Sequence, residues 1–294
     1  MTAATPDHRL IDGREVATRI LEECGNYTAT QNALGRLVSI CIGDVPETEV
    51  YVRNQARGAQ RAGLPFEQVN WDANITQDEA KQIIQKMNDD ASILGIIIQR
   101  PAPEHINIRS LQSAVHPLKD VEGMNPASIG NIVYSDVALA PCTAAASVEL
   151  IKETGLNLEG LEVVMIGHSE IVGKPAAMML MAEGATVTVC HHLTRSVAMH
   201  SRRADVVVVA VGIAAFLGPN MIKPGAAVID IGINQIKDES GNFKIVGDVQ
   251  TEAVKKVAGW ITPVPGGVGP VTVAILIRNA IVAHKRQIAA GWIE

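Results

Sequence analysis

Two hydrophobic rhythms alternate along the chain. Short, nearly unbroken apolar runs occur at residues 37–42 (LVSICI), 93–98 (ILGIII), 163–166, 205–211 and 227–231. Runs of this length with many Val and Ile read as buried strands. Residues 69–71, 186–190 and 260–264 read as further strands. Between them, apolar positions recur at helical spacing. Thr76 and Glu79 form a T-x-x-E capping box, and Ala80, Ile83, Ile84 and Met87 then make one apolar stripe. Helices are predicted over 16–24, 48–62, 144–154, 172–183, 251–257 and 272–287, with Gly63 placed as a C-terminal cap. Residues 1–9 read as a loose start, 123–140 as a connection and 237–242 as a charged turn. The alternation predicts two α/β units, the second a doubly wound parallel sheet of the Rossmann-like kind.

The stretch 163–175, VVMIGHSEIVGKP, is strand, glycine turn, helix. That arrangement points backbone N–H groups at an anion. Ser169 stands where the second glycine of G-x-G-x-x-G would be, so the turn alone is equally explained by an ordinary strand-to-helix connection. Composition narrows the class. Of 294 residues, 47% are hydrophobic but only 3% aromatic, an aliphatic core that suits a parallel sheet covered on both faces. The formal charge of −6 offers no basic surface for nucleic acid or an anionic membrane. Cys24, Cys41, Cys142 and Cys190 lie far apart with no metal-ligand spacing, so reduced thiols and no metal are expected. No signal-peptide core and no membrane span are legible, and a cytoplasmic enzyme is the expected class.

Four places carry candidate chemistry. Tyr51 and Gln55, four apart, share one face of a helix that starts at the carboxyl end of a strand; a solvated surface pair would look the same. Gln99 ends a wholly apolar strand and is either solvated or functional. Asp120 and Glu122, two apart, point the same way in extended chain and can accept from paired N–H donors, or simply face water. Three glycines and three prolines within 262–270 let backbone approach a ligand closely.

Taken together in chain order, IDGREVA (11–17), YVRNQ (51–55), GIIIQRPAP (95–103), HPLKDVEG (116–123), PCT (141–143), GHSEIVGKP (167–175), ATVTVCH (185–191), KPGAAVIDIGIN (223–234), VGDV (246–249) and TPVPGGVGPVT (262–272) resemble the methylenetetrahydrofolate dehydrogenase/cyclohydrolase family. The resemblance implies two α/β domains around a cleft. A folate-binding domain would span 1–140, joined by the C-terminal helix 272–294, and a nicotinamide-dinucleotide domain 141–271. It implies a homodimer that oxidises 5,10-methylenetetrahydrofolate with NADP, NAD being possible, and then hydrolyses the methenyl product to 10-formyltetrahydrofolate. Catalytic roles fall on Tyr51, Gln55, Gln99 and Asp120. Folate contacts fall on Tyr51, Asp120, Pro265, Gly266, Gly267 and Val268. Cofactor contacts fall on Gly167, His168, Ser169, Val172, Gly173, His192 and Ile233.

The sequence departs from the family pattern in places. The family's Y-V-x-x-K carries the lysine of the hydrolytic step, and this chain has Gln55 there. His168 replaces the Arg of G-R-S, His192 the Ser of C-H-S, Ala144 the last Pro of P-C-T-P, and Glu122 the second Asp of K-D-V-D-G. Hydride transfer asks mainly for positioning, whereas hydrolysis needs a proton moved, and an amide does not titrate. Dehydrogenase activity with impaired hydrolysis is therefore expected. The alternatives are a fully bifunctional enzyme, a folate-binding relative without catalysis, or a dehydrogenase of another pterin. No acidic residue follows the 186–190 strand, which argues against NAD. His168, His192 and Arg195 would make a soft phosphate site, weaker as pH rises from about 6 to 8.

Overall fold

The computed structural model describes residues 9–32, 34–237 and 241–293. The expected loose start lies outside these residues except for Arg9, as do three residues of the expected charged turn at 237–242. The strands in chain order are β1 (Arg9–Leu10), β2 (Arg36–Ile42), β3 (Phe66–Trp71), β4 (Ile93–Ile98), β5 (Glu162–Ile166), β6 (Thr186–Cys190), β7 (Val206–Val209), β8 (Ala227–Asp230), β9 (Asn234–Lys237), β10 (Phe243–Val246) and β11 (Trp260–Ile261). The chain divides into two compact units, one of residues 18–142 with 273–294, the other of residues 1–17 with 143–272.

The first unit is built on a parallel sheet ordered β3-β2-β4. Every residue of β4 is buried, as an unbroken apolar run requires of a covered central surface. Val38, Ile40, Ile84, Ile96, Ile98 and Leu111 pack one core here. The helix Gln77–Asp89 starts at the expected capping box: Thr76 Oγ1 accepts from the Glu79 N–H, and the Glu79 carboxylate accepts from the Thr76 N–H. Such a cap contributes about 1 kcal/mol. The helix Pro46–Arg61 ends as expected at Gly63, whose φ of 67° lets Leu64 N–H reach back to the Ala59 carbonyl. The expected connection at 123–140 contains the helix Pro126–Val133, started by the Asn125 side chain accepting from the Ala127 N–H. Its Pro in the first turn is an N-terminal signal as well as a breaker. The helix Ile108–Ala114 is a further addition, its length being too short for a periodic stripe.

The second unit is a six-stranded, wholly parallel sheet ordered β1-β11-β8-β7-β5-β6. Its core is aliphatic, with Val164, Ile166, Val207, Val209, Val228 and Ile261 all buried. The order reverses between β5 and β7, which makes the carboxyl end of that pair the switch point of a doubly wound sheet. Residues 9–17, expected with the first unit, cluster with this one. β1 pairs with β11, the Ile11 N–H donates to the Ile261 carbonyl at 3.0 Å, and Ile11 is buried. Two residues of strand are too short to show a pattern. β9 and β10 form an antiparallel hairpin, whose four-residue, mostly exposed strands are too short to leave a clear sequence signature. The C-terminal helix Val268–Ala289 is long and apolar enough to cross a membrane, yet most of its apolar window is buried, as in a core helix.

Candidate active site and cofactor turn

In the first unit, β4 ends at Ile98 and hands the chain to Gln99, which is buried. The Gln99 amide donates to Ser39 Oγ at 2.9 Å and to Gln55 Oε1 at 2.7 Å. Gln55 lies on the helix Pro46–Arg61, which follows β2, and Ser39 lies on β2 itself. The structure thus joins two predicted residues, Gln55 and Gln99, through a third that the sequence reading missed. The signal for Ser39 was a single polar residue inside LVSICI. Tyr51 sits one turn before Gln55 on the same helix and is 52% exposed.

Asp120 does not face outward as expected of a folate ligand. Its carboxylate is 3% exposed and accepts from the Met124 N–H at 3.0 Å, the Asn125 N–H at 2.7 Å and Ser128 Oγ at 2.7 Å. Burial raises its pKa despite these bonds. Asp120 therefore shapes the segment that leads into the Pro126–Val133 helix. Asp120→Ala is expected to cost about 3 kcal/mol in urea unfolding, because three buried donors lose their acceptor. Unchanged stability with lost folate affinity would instead restore a direct contact. Glu122 is the freer carboxylate. Its Oε2 accepts from the Ile98 N–H at 2.9 Å, beside Gln99, and its other oxygen has no hydrogen-bond partner among the described residues. Burial pushes its pKa up to about 7, with Asp120 raising it further and Arg100 opposing.

In the second unit, the turn after β5 is held by close backbone approach. Gly167 has φ 115° and donates to the Cys190 carbonyl at 2.8 Å. A Cβ there would lie 2.2 Å from the Ala210 carbonyl oxygen, just past β7, and a Cβ at Gly173 would lie 2.1 Å from the Gly167 oxygen. The turn is thus drawn tight at the switch point. The helix Gly173–Ala182 then starts with no capping side chain at Val172; Pro175 has no N–H and the Lys174 N–H turns back to the Ser169 carbonyl, which leaves the Gly173 N–H as the first-turn donor toward a ligand. Ser169 holds the turn through its carbonyl, which accepts from the Lys174 N–H at 3.0 Å. Gly167→Ala is expected to weaken dinucleotide binding at least tenfold in calorimetry, since the added strain of about 1–3 kcal/mol falls on this turn. Unchanged affinity would separate the turn from the cofactor.

Two carboxylates that the sequence reading passed over fix the neighbouring loops. Asp248, fully buried, accepts from the N–H groups of Val211, Gly212 and Ile213 and from Asn234 Nδ2. Asp230 accepts from the N–H groups of Gly232, Asp248 and Val249, and burial raises its pKa to about 6. Their signal was an acidic residue inside each apolar motif, IDIGIN and VGDV. The loop they hold presents Ile233, 55% exposed. His168, His191 and His192 cluster at the ends of β5 and β6, with ring centroids 4.6–6.1 Å apart. Desolvation, His191, Lys174 and His192 lower the His168 pKa, which weakens the phosphate site expected of these histidines. The loop carrying Pro265, Gly266, Gly267 and Val268 packs backbone to backbone on the amino-terminal segment: a Cβ at Gly13 would lie 1.8 Å from the Gly267 oxygen. The predicted site residues thus fall into two sets. Tyr51, Gln55, Gln99 and Asp120 belong to the first unit, and the glycine loop and cofactor residues to the second.

Comparison with known proteins covers both parts of the chain. Residues 11–122 match the family described as Tetrahydrofolate dehydrogenase/cyclohydrolase, catalytic domain, and residues 141–288 match its NAD(P)-binding domain. The chain is 75% identical over 286 residues to the Bifunctional protein FolD 3 of Roseobacter denitrificans, covering 97% of this chain and 99% of that one. It superposes with a TM-score of 0.90 on the crystal structure of the bifunctional FolD methylenetetrahydrofolate dehydrogenase/cyclohydrolase from Campylobacter jejuni, at 38% identity over 95% of this chain and 99% of that one. The Trypanosoma brucei dehydrogenase-cyclohydrolase, solved with NADP and an inhibitor, gives 0.89 at 35% identity over 95% and 98%. This chain, with both matched domains in order, belongs to the tetrahydrofolate dehydrogenase/cyclohydrolase family.

Proposed function

We propose that this enzyme carries both activities of its family, oxidation of 5,10-methylenetetrahydrofolate with NADP+ and hydrolysis of the methenyl product, and that it runs the second without a titratable group at position 55. The observation that carries the reading is the buried Gln99 amide, bonded to Gln55 and Ser39 at the carboxyl end of the first unit's sheet. Relatives 75%, 71% and 69% identical are each named a bifunctional protein, which supports two activities over the impaired hydrolysis expected from the sequence.

The turn at Gly167 fits a dinucleotide, since its glycines draw the backbone tight at the switch point and the following helix starts with no side-chain cap. NADP+ supplies the hydride acceptor. The chain's own residues bind and orient. Gly167, Ser169, Val172 and Gly173 shape the phosphate side, and Ile233 stands on the exposed loop held by Asp230 and Asp248. No acidic residue follows β6, which supports NADP over NAD. Tyr51 offers an exposed phenol beside the amide pair. Glu122, with a free oxygen, accepts the paired N–H donors of the pterin in place of Asp120. Hydride transfer needs little more than this positioning. For hydrolysis, the Gln55–Gln99–Ser39 network orients water by hydrogen bonds, and Glu122 is the nearby group that titrates in the neutral range.

A second reading has its own observation: an amide at 55 cannot move a proton, so hydrolysis would fall to the uncatalysed rate. One experiment decides. The purified chain is given 5,10-methylenetetrahydrofolate and NADP+, and cofactor reduction is followed together with the methenyl absorbance. Reduction with little methenyl build-up, and acceleration of added methenyltetrahydrofolate hydrolysis, supports two activities. Reduction with methenyl accumulation supports the dehydrogenase alone. Absence of folate-dependent reduction overturns both.

A further inference from the structure

β5 and β6 run parallel with Ile166 opposite Cys190, so the turns that follow them emerge side by side. One carries His168, the other His191 and His192. One ligating nitrogen from each imidazole lies within 4.8 Å of the other two, and among the described residues this is the one such group of histidine, cysteine or carboxylate side chains. His168 and His192 are exposed and His191 is half-buried. We propose that His168, His191 and His192 form a binding site for one divalent transition-metal ion of the zinc, cobalt or nickel class.

The donor set selects the metal. Three imidazole nitrogens suit zinc and its neighbours, whereas magnesium and calcium want oxygen. Three protein ligands leave a fourth position for water or an anionic oxygen. Nitrogens about 2.0–2.1 Å from a tetrahedral ion lie about 3.3 Å apart, so the rings must close by about 1.5 Å at most. Rings with this much exposure can rotate that far. His191 Nδ1 now accepts from the Leu193 N–H at 3.2 Å. Whether the ring ligates through Nδ1 or changes tautomer to ligate through Nε2, that N–H is released, and Leu193 is 73% exposed, so water replaces the bond. The spacing of cysteines pointed to no metal. The sequence assigns His168 and His192 to a phosphate site with Arg195 and passes over His191, because the meeting of all three rings is set only by the pairing of β5 with β6. An ion here would occupy the turn assigned to the cofactor, which links the two occupancies.

The test uses neither folate nor dinucleotide, so it stands or falls apart from the proposed activity. Zn2+ is titrated calorimetrically into the tag-free full chain after chelator treatment, at pH 7.5. One ion per chain at micromolar affinity or tighter is expected. His168→Ala, His191→Ala and His192→Ala should each weaken it at least tenfold, with unchanged circular dichroism, and His168→Arg should do the same. His105→Ala, an exposed histidine elsewhere, should leave it intact. Co2+ should give ligand-field bands without a thiolate charge-transfer band, which separates the site from the adjacent Cys190. Absence of stoichiometric binding, or binding that survives all three alanine substitutions, overturns the site.

Discussion

Replacing Gln55 by Lys is expected to raise methenyltetrahydrofolate hydrolysis by only roughly tenfold, because positioned proton transfer contributes roughly 10²–10⁴-fold and Glu122 already carries part of it in the wild type. The introduced ammonium would stand where Gln55 Oε1 now accepts from the Gln99 amide. Gln99 must then turn its amide to present oxygen to that ammonium, and the Ser39 hydroxyl can serve as donor or acceptor to the other end. Partial burial at this helix face lowers a lysine pKa and readies it to give and take a proton. Hydride transfer should change by no more than about threefold, since it depends on holding the reacting carbon near the cofactor. The measurement is a pair of single-activity assays on wild type and variant. Equal hydrolysis in both would mean that Glu122 alone carries the proton at the full rate, and a gain of roughly 10²-fold or more would mean that the wild type lacks a proton carrier.

Replacing Glu122 by Gln should lower kcat/KM for folate by about 10²-fold in both reactions, since bonds to a charged acceptor are worth about 1.5–3 kcal/mol and the amide would present donors to donors. The Ile98 N–H keeps an acceptor, so the local backbone stays in place. The pH dependence follows from the carboxyl's environment. Burial, with Asp120 nearby and partly offset by the Ile98 N–H and Arg100, lifts Glu122 from 4.5 to about 7, with the half-buried Cys142 thiol also close by. Only the anion accepts both pterin donors, so wild-type kcat/KM should rise with pH and level off above about 7. In Glu122→Gln that step should vanish. Stability moves the other way. A carboxyl whose folded pKa is raised favours the folded state fully below its unfolded value and loses that advantage as pH climbs through the folded one. Wild type should therefore lose about 3 kcal/mol between pH 4.5 and about 7 on this account. Glu122→Gln should be flat there and the more stable protein at pH 8. A variant less stable at pH 8, with unaltered folate kinetics, would reduce Glu122 to a structural group.

The two carboxylates of LKDVEG show where sequence reading stops. Their spacing correctly marked the segment, but two residues apart they look interchangeable in an extended chain. The fold turns Asp120 inward onto two backbone N–H groups and Ser128, and leaves one oxygen of Glu122 free. Ser39 is a related case. Nothing local says that the polar residue of LVSICI meets an amide that ends another strand. Gln99, by contrast, was legible, because a long amide closing an apolar run is hard to explain by packing.

What the sequence by itself determined is the order of elements and the family. Apolar runs and helical stripes set β2, β4, β5, β7 and β8 and the long helices, because burying a strand on both faces leaves a continuous signature. Family motifs in chain order named the chemistry, and the structural and sequence relatives agree. Only the tertiary structure decided which side chains meet. Pairing of β5 with β6 gathers three histidines from distant positions, and pairing of β1 with β11 moves the amino terminus into the second unit. Hydrogen-bond partners and the solvation of a carboxylate are set by atoms far away in sequence. Periodicity records which face is buried, and carries no record of what it is buried against.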